Sequence, residues 1–185
     1  MTEAELRRLL PAGLAHSRLP PEGNRPAAVL IPLEPGRGVW LTRRSAHMPN
    51  HAGQVSFPGG KIEPGDASVE AAALREAREE VGLDPAVAEI LGRMDDFITG
   101  TGFHIAPVVA LVPRGVVFLP DPGEVQEAFC LPFETLLDPA QPRSRRVYWR
   151  GIEQDFVVWP HEAHVIWGAT AKILLDLARR LRGAA

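Results

Sequence analysis

A chain of 185 residues, 45% hydrophobic and 23% charged, fits one globular domain large enough to bury a core without covalent staples. Its formal net charge of −3 lacks the electrostatic footprint of a nucleic-acid or anionic-membrane binder. Cys130, alone in an apolar context, excludes an internal disulfide and a Cys-rich zinc site and reads as a small core residue; no apolar run nears membrane-span length and MTEAELRRLL lacks a signal-peptide core, so a cytoplasmic protein is expected.

In chain order, Thr2 to Leu9 reads as a short amphipathic helix, with Leu6, Leu9 and Leu10 at suitable spacing and Pro11 near its end. Pro20-Pro21-Glu22-Gly23-Asn24 is a loop. The apolar, β-branched runs Ala27 to Leu33 and Val39 to Thr42 flank Glu34-Pro35-Gly36-Arg37-Gly38, which predicts a hairpin with a longer turn. Gln54 to Phe57 is a short strand, and Pro58-Gly59-Gly60 then turns the chain toward a helix over Ala71 to Leu83. Ala88 to Met94 and His104 to Val112 read as strands; Glu127 to Leu131, Arg146 to Arg150 and Phe156 to Trp159 are further strand candidates. His164 to Arg182 closes the chain as a helix with Ile173, Leu174, Leu177 and Leu181 on its apolar side. That side can pack internally or form a homodimer; the pattern leaves both open.

The helix AAALREAREEVGL carries the chemistry. It places Glu76, Glu79 and Glu80 at offsets that a 3.6-residue period gathers onto one face. Leu74, Ala77 and Val81 form a separate apolar stripe. Asp66 or Ser68 can cap the start, and Gly82 stands where a left-handed residue would end it. Carboxylates gathered this closely raise each other's pKa unless a cation neutralises them. Hard oxygen donors call for Mg²⁺ or Mn²⁺ rather than zinc. A solvated acidic helix face is the alternative reading of the carboxylates taken alone.

The segment GGKIEPGDASVEAAALREAREEVGL resembles the signature of the Nudix hydrolases, a glycine loop and helix followed by Arg-Glu-aliphatic-x-Glu-Glu-x-Gly-aliphatic. Arg75 to Leu83 match that last pattern in full; Asp66 stands where the general pattern has Glu, and the Gly60-to-Arg75 spacing is one residue longer. Upstream, LTRRSAHMPNHAGQVSFPGG resembles the extra motif of the coenzyme A pyrophosphatase branch. Leu41, Thr42, Arg44, Ser45, Gly53, Phe57, Pro58, Gly59 and Gly60 are in register, while Trp40 replaces a Leu and Pro49 an Arg. Thr99-Gly100-Thr101-Gly102-Phe103 and Ile166-Trp167-Gly168-Ala169-Thr170-Ala171 are also similar to that branch.

The resemblance implies an α+β Nudix fold, a mixed β-sheet sandwiched between α-helices. It implies a single domain over residues 1–185, with an N-terminal helix and loop over 1–25 and the Nudix box over 59–83. The implied activity is divalent-metal-dependent hydrolysis of the diphosphate bond of coenzyme A or its derivatives. Another nucleoside diphosphate compound (ADP-ribose, a dinucleotide, an oxidised nucleotide) is the neighbouring alternative, and a non-catalytic ligand-binding module is one of a different class. The expected partner is a small-molecule substrate, with neither nucleic acid nor membrane.

In that reading Glu76 and Glu80 ligate Mg²⁺ or Mn²⁺, Glu79 is a further ligand or contacts the base, and a backbone carbonyl near Gly59 or Gly60 completes the set. Arg75 orients a glutamate through a charge-assisted hydrogen bond. Glu124 is a candidate general base against the plainer reading of a solvated acidic turn. Arg43, Arg44, His47, His51 and Lys61 are placed near the motifs to meet substrate phosphates, Ser45 is a further substrate-binding candidate, and Phe103 is placed to stack on adenine; a loop-holding salt bridge for Arg44 and a core role for Phe103 are the alternatives. Arg43 and Arg44, adjacent on a strand, must point to opposite faces. His161 and His164 lack zinc-protease spacing and read as a surface turn.

Overall fold

In the computed structural model, which describes residues 1–11, 16–19, 23–48, 52–149 and 152–183, the plan of the molecule follows from alternation along β1 (Arg25–Glu34). Ala28 and Leu30 point to one face, Val29, Ile31 and Leu33 to the other. Both faces are covered, so the strand is apolar almost throughout. β2 (Gly38–Arg44) returns antiparallel to β1 with Leu33 opposite Val39, as the hairpin pattern predicts.

The sheet grows from this pair. β7 (Phe103–Leu111) runs parallel to β1 in continuous register from Arg25↔Phe103 to Leu33↔Leu111. β5 (Glu89–Arg93) and β6 (Phe97–Ile98) pair antiparallel to β7. β3 (Val55–Ser56) and β8 (Val125–Pro132) pair with β2, and β4 (Gly59–Lys61) pairs with β1. Among the described residues this makes an eight-stranded mixed sheet. β9 (Arg143–Trp149) and β10 (Ile152–Val158) form a separate antiparallel ribbon.

Helices cover both faces. α2 (Val69–Val81) sets Ala72, Ala73, Ala77 and Val81 against Ala28, Leu30, Val108 and Ala110. On the other face lie α1 (Glu3–Leu9), α3 (Phe133–Leu137) and α4 (Gly168–Leu181), with Ile173, Leu174 and Leu177 packed among Ile31, Leu33 and Leu41. This is the α+β sandwich the sequence implies, and the apolar side of the last helix is buried inside the domain.

Four local differences have physical causes. Small alanines at 72 and 73 take the buried side of α2, and Leu74 is only half-buried. The glycine pair forms strand β4 as well as a turn, because it lies against β1. α4 starts at Gly168 rather than His164, since Ile166 is held in a bridge to Trp159. α3 is too short to show a period. Pro20, Pro21, Glu22 and Arg150 lie outside the described residues.

Candidate active site

Pairing of β4 with β1 sets Gly59 opposite Val29 and Gly60 opposite Ala28, and α2 packs on this strand pair. A Cβ on Gly59 would stand 2.4 Å from the Ala28 carbonyl oxygen; one on Gly60 would stand 2.5 Å from the Glu76 carboxylate. Only glycine lets the two backbones and the carboxylate approach this closely. The Gly59 N–H donates to Glu80 Oε2 at 3.0 Å.

The helix is delimited as its sequence predicts. The Ser68 hydroxyl accepts the Ala71 N–H, and Gly82 adopts φ 65° at the C-cap. Ser68 therefore takes the cap and leaves Asp66 for Arg75. Arg75 donates from Nε to Asp66 Oδ1 at 2.9 Å and from Nη2 to Asp66 Oδ2 at 3.1 Å. Its Nη1 also reaches Glu76 Oε1 and Glu79 Oε2, each at 3.0 Å, and Nη2 reaches the Lys61 carbonyl at 3.0 Å. One guanidinium thus ties loop, strand and two glutamates together.

The three glutamates differ in setting. Glu80 is 2% exposed, Glu76 is half-buried and Glu79 is exposed. Burial pushes the Glu80 carboxyl up to about 7; the Gly59 N–H and Arg44 oppose this, while Glu76 and Glu124 reinforce it. Burial also raises Glu76, opposed by Arg75 and reinforced by Glu79 and Glu124. Hydrogen bonds from Arg75 hold Asp66 below the usual carboxylate range.

A hard divalent cation suits this donor set. Two carboxylates one helical turn apart are buried with too little positive charge to keep both ionised easily, and Glu76 lies against the Gly60 backbone. Among the described residues no three His, Cys, Asp or Glu side chains form a ready cage. Glu76 and Glu80 would hold such an ion together with backbone oxygen, phosphate oxygens and water, the usual pattern for Mg²⁺.

The remaining predicted residues divide between the site and its frame. Arg44 Nη1 stands 3.3 Å from Glu80 Oε1, whereas Arg43 turns to Glu127, 3.6 Å away, across a register shift between β2 and β8. Ser45 is buried; its N–H donates to the Glu124 carbonyl at 2.8 Å and its hydroxyl accepts from His47 N–H at 3.5 Å. The exposed Glu124 lies near enough to raise both Glu76 and Glu80. The Lys61 side chain is exposed beside the glycine strand. Phe103 is covered by Arg25, whose guanidinium carbon is 4.0 Å from the ring centroid. His51 and Pro49 lie outside the described residues.

Two features are additional to the sequence reading. Asp66 acts as the anchor of Arg75, nine residues and a loop away. The predicted surface turn at His161 and His164 is instead a stack: the imidazoles lie 4.9 Å apart, both against Phe129, and His164 Nε2 is 3.2 Å from Glu127 Oε1. Burial pushes the Cys130 thiol up to about 11, in keeping with an inert residue.

The NUDIX domain pattern matches residues 23–150, which span the sheet, the glycine strand and the carboxylate helix. The chain belongs to the Nudix family. It is 39% identical over 170 residues to the Nudix hydrolase NudL of Yersinia pestis (strain Pestoides F), covering 91% of this chain and 85% of that protein. The NudL of Yersinia pseudotuberculosis serotype O:1b is similar to the same extent, with 39% identity over 170 residues and coverage of 91% and 85%. Among solved structures, DR0079 from Deinococcus radiodurans shares the fold with a TM-score of 0.54 at 17% identity, over 89% of each chain. A C. elegans Ap4A hydrolase shares it with a TM-score of 0.50 at 20% identity, over 58% of this chain and 80% of that one.

This Nudix chain is accordingly a pyrophosphohydrolase, an enzyme that opens phosphorus-containing acid anhydrides, and enzymes of the family generally use divalent metal ions. Among the described residues no helix is long and apolar enough to cross a membrane.

Proposed function

We propose that this Nudix enzyme hydrolyses the diphosphate bond of coenzyme A or its derivatives, releasing 4′-phosphopantetheine and adenosine 3′,5′-bisphosphate. The observation that carries the reading is the segment Leu41 to Gly60, in register with the coenzyme A pyrophosphatase motif and delivering Arg44 to Glu80. The working unit is proposed to be the whole chain as one domain.

A diphosphate repels an attacking water unless its charge is neutralised. Bound Mg²⁺ or Mn²⁺ supplies that neutralisation and acidifies water. Glu76 and Glu80, with a backbone oxygen near Gly60, would hold the ion; Arg75 and Asp66 fix the approach of Glu76. Arg44 adds positive charge at the edge of the carboxylates, where phosphate oxygens would lie. Glu79 and Glu124 are the exposed carboxylates near the site, suited to take a proton from water. Ser45 shapes the loop that carries Glu124, and His51, Lys61 and Phe103 complete the proposed substrate contacts.

A second reading rests on Pro49. It replaces an arginine of the motif and so removes a cation, which favours another nucleoside diphosphate compound. The test is chromatography with mass spectrometry of coenzyme A incubated with the enzyme, with Mg²⁺ or with chelator. Metal-dependent 4′-phosphopantetheine upholds the coenzyme A reading, and intact coenzyme A beside cleaved ADP-ribose transfers it to the second.

A further inference from the structure

Glu124 is exposed, yet its charge bears on both Glu76 and Glu80. A proton acceptor works only within hydrogen-bond reach of the water it serves. An exposed glutamate on a freely moving loop would reach that place in few of its conformations. In this chain the backbone of Glu124 is held from both sides, by a circuit of contacts that begins and ends on Glu80.

The segment leading from β7 to β8 is bonded to the last turn of α2. Leu119 N–H donates to the Val81 carbonyl at 2.8 Å and Asp121 N–H to the Glu80 carbonyl at 2.9 Å, two of the acceptors that a helix leaves unpaired at its C-terminus. The Asp121 carbonyl then accepts the N–H groups of Glu124 at 3.0 Å and Val125 at 2.8 Å. On its other side, the Glu124 carbonyl accepts the N–H of buried Ser45 at 2.8 Å. Ser45 follows Arg44, whose Nη1 stands 3.3 Å from the Glu80 carboxylate and closes the circuit.

The Asp121 side chain tightens one link of it. Its Oδ1 accepts the Gly123 N–H at 2.7 Å, the local contact by which an aspartate stabilises a turn. Pro122 presets φ at the second position of that turn. A Cβ on Gly123 would stand 3.1 Å from the same oxygen, so glycine leaves the carboxylate its room. This hydrogen bond is spent on the turn that ends in Glu124, and Asp121 acts through Glu124.

We propose that Asp121 is a positioning residue for diphosphate hydrolysis: by holding the turn over residues 121–124 it keeps the Glu124 carboxylate aimed at the water that attacks beside Glu76 and Glu80. Water gives its proton to Glu124 as its oxygen bonds to phosphorus, and the bridging oxygen leaves with the other phosphate. The proposal rests on the reading of Glu124 as proton acceptor.

A double-mutant cycle tests it, on coenzyme A, ADP-ribose or a dinucleotide, whichever wild type cleaves fastest, so that the result does not depend on the coenzyme A assignment. Glu124→Gln lowers kcat about a hundredfold, within the range for losing a general base. Asp121→Ala lowers kcat about tenfold, the scale of a misplaced reacting group, with KM little changed. Asp121→Asn, whose amide oxygen can still accept the Gly123 N–H, recovers most of that loss. In the Glu124→Gln background Asp121→Ala costs less than about twofold, because the group it aims is gone. Asp121 is exposed, so the variants keep the fold, which thermal melting checks. Equal losses in the two backgrounds, or wild-type kcat in Asp121→Ala, overturn the positioning role and leave Glu124 as acceptor. Wild-type kcat in Glu124→Gln removes Glu124 from the chemistry and the role of Asp121 with it.

Discussion

Arg75 holds Asp66 through a two-point contact, Nε to Oδ1 at 2.9 Å and Nη2 to Oδ2 at 3.1 Å, while its third nitrogen reaches Glu76 and Glu79. The pair fixes where the carboxylate helix stands relative to the loop leading into it. Asp66→Ala removes the anchor and touches no substrate. It is expected to lower kcat about tenfold or more, the usual scale for losing a group that orients a ligand residue. Steady-state kinetics on the purified variant checks this; wild-type kcat would reduce the pair to a surface contact.

Glu80→Gln separates fold from chemistry. The amide can still accept the Gly59 N–H, so the variant folds, and the buried charge is gone. Turnover falls to a trace, while metal-free thermal stability at pH 7.5 equals or exceeds wild type. Calorimetric melting beside an activity assay reads both, and substantial turnover in the folded variant would remove Glu80 from the chemistry.

The pH dependence of stability follows from the same residue. Glu80 is raised to about 7 in the folded chain from an ordinary value of 4.5. Between those values the folded state holds a proton that the unfolded state has released, so this group's stabilisation is full below about pH 4.5 and is lost as pH rises through 7. The metal-free Tm of wild type relative to Glu80→Gln therefore falls between pH 5 and 7.5. Mg²⁺ recovers it at pH 7.5 and has little effect at pH 5, where the carboxyl is protonated. A relative Tm that rises over this range would refute the assignment.

The two adjacent glycines fail in different ways. A Cβ at Gly59 meets backbone first, the Ala28 carbonyl oxygen at 2.4 Å and the Val29 Cα at 2.6 Å, whereas the atoms nearest to one at Gly60 are those of the Glu76 carboxylate, at 2.5 Å. Gly59→Ala is expected to cost about 2–4 kcal/mol of stability, the range for a strained backbone clash. Gly60→Ala keeps most of the stability and loses activity by displacing Glu76. Denaturant melts of both variants decide it, and equal losses would contradict the distinction.

Arg44→Ala lowers kcat/KM at least tenfold, while Arg43→Ala, on the opposite face and paired with Glu127, changes it less than threefold. Parallel kinetics of the two variants give the contrast, and equal effects would sink it.

Local patterns in this chain are legible where a single period governs them. The apolar, β-branched run of β1 and the 3.6-residue spacing of Leu74, Ala77 and Val81 announce the sheet and its covering helix. The period alone does not separate Glu79 from Glu80. They are about 100° apart on the helix, and the edge of the packed interface passes between them, so one is exposed and the other 2% exposed. The contact of Asp66 with Arg75 and the stack of His161 and His164 on Phe129 depend on tertiary pairing. No local spacing encodes them.

The most direct measurement of the central claim is a side-by-side comparison of kcat/KM for coenzyme A, ADP-ribose and a dinucleotide, with Mg²⁺ or Mn²⁺ saturating. The structure's carboxylate site and the Leu41 to Gly60 segment together predict the highest value for coenzyme A, abolished by chelation. A higher value for ADP-ribose or the dinucleotide would contradict the coenzyme A assignment while leaving the Nudix chemistry of Glu76 and Glu80 in place.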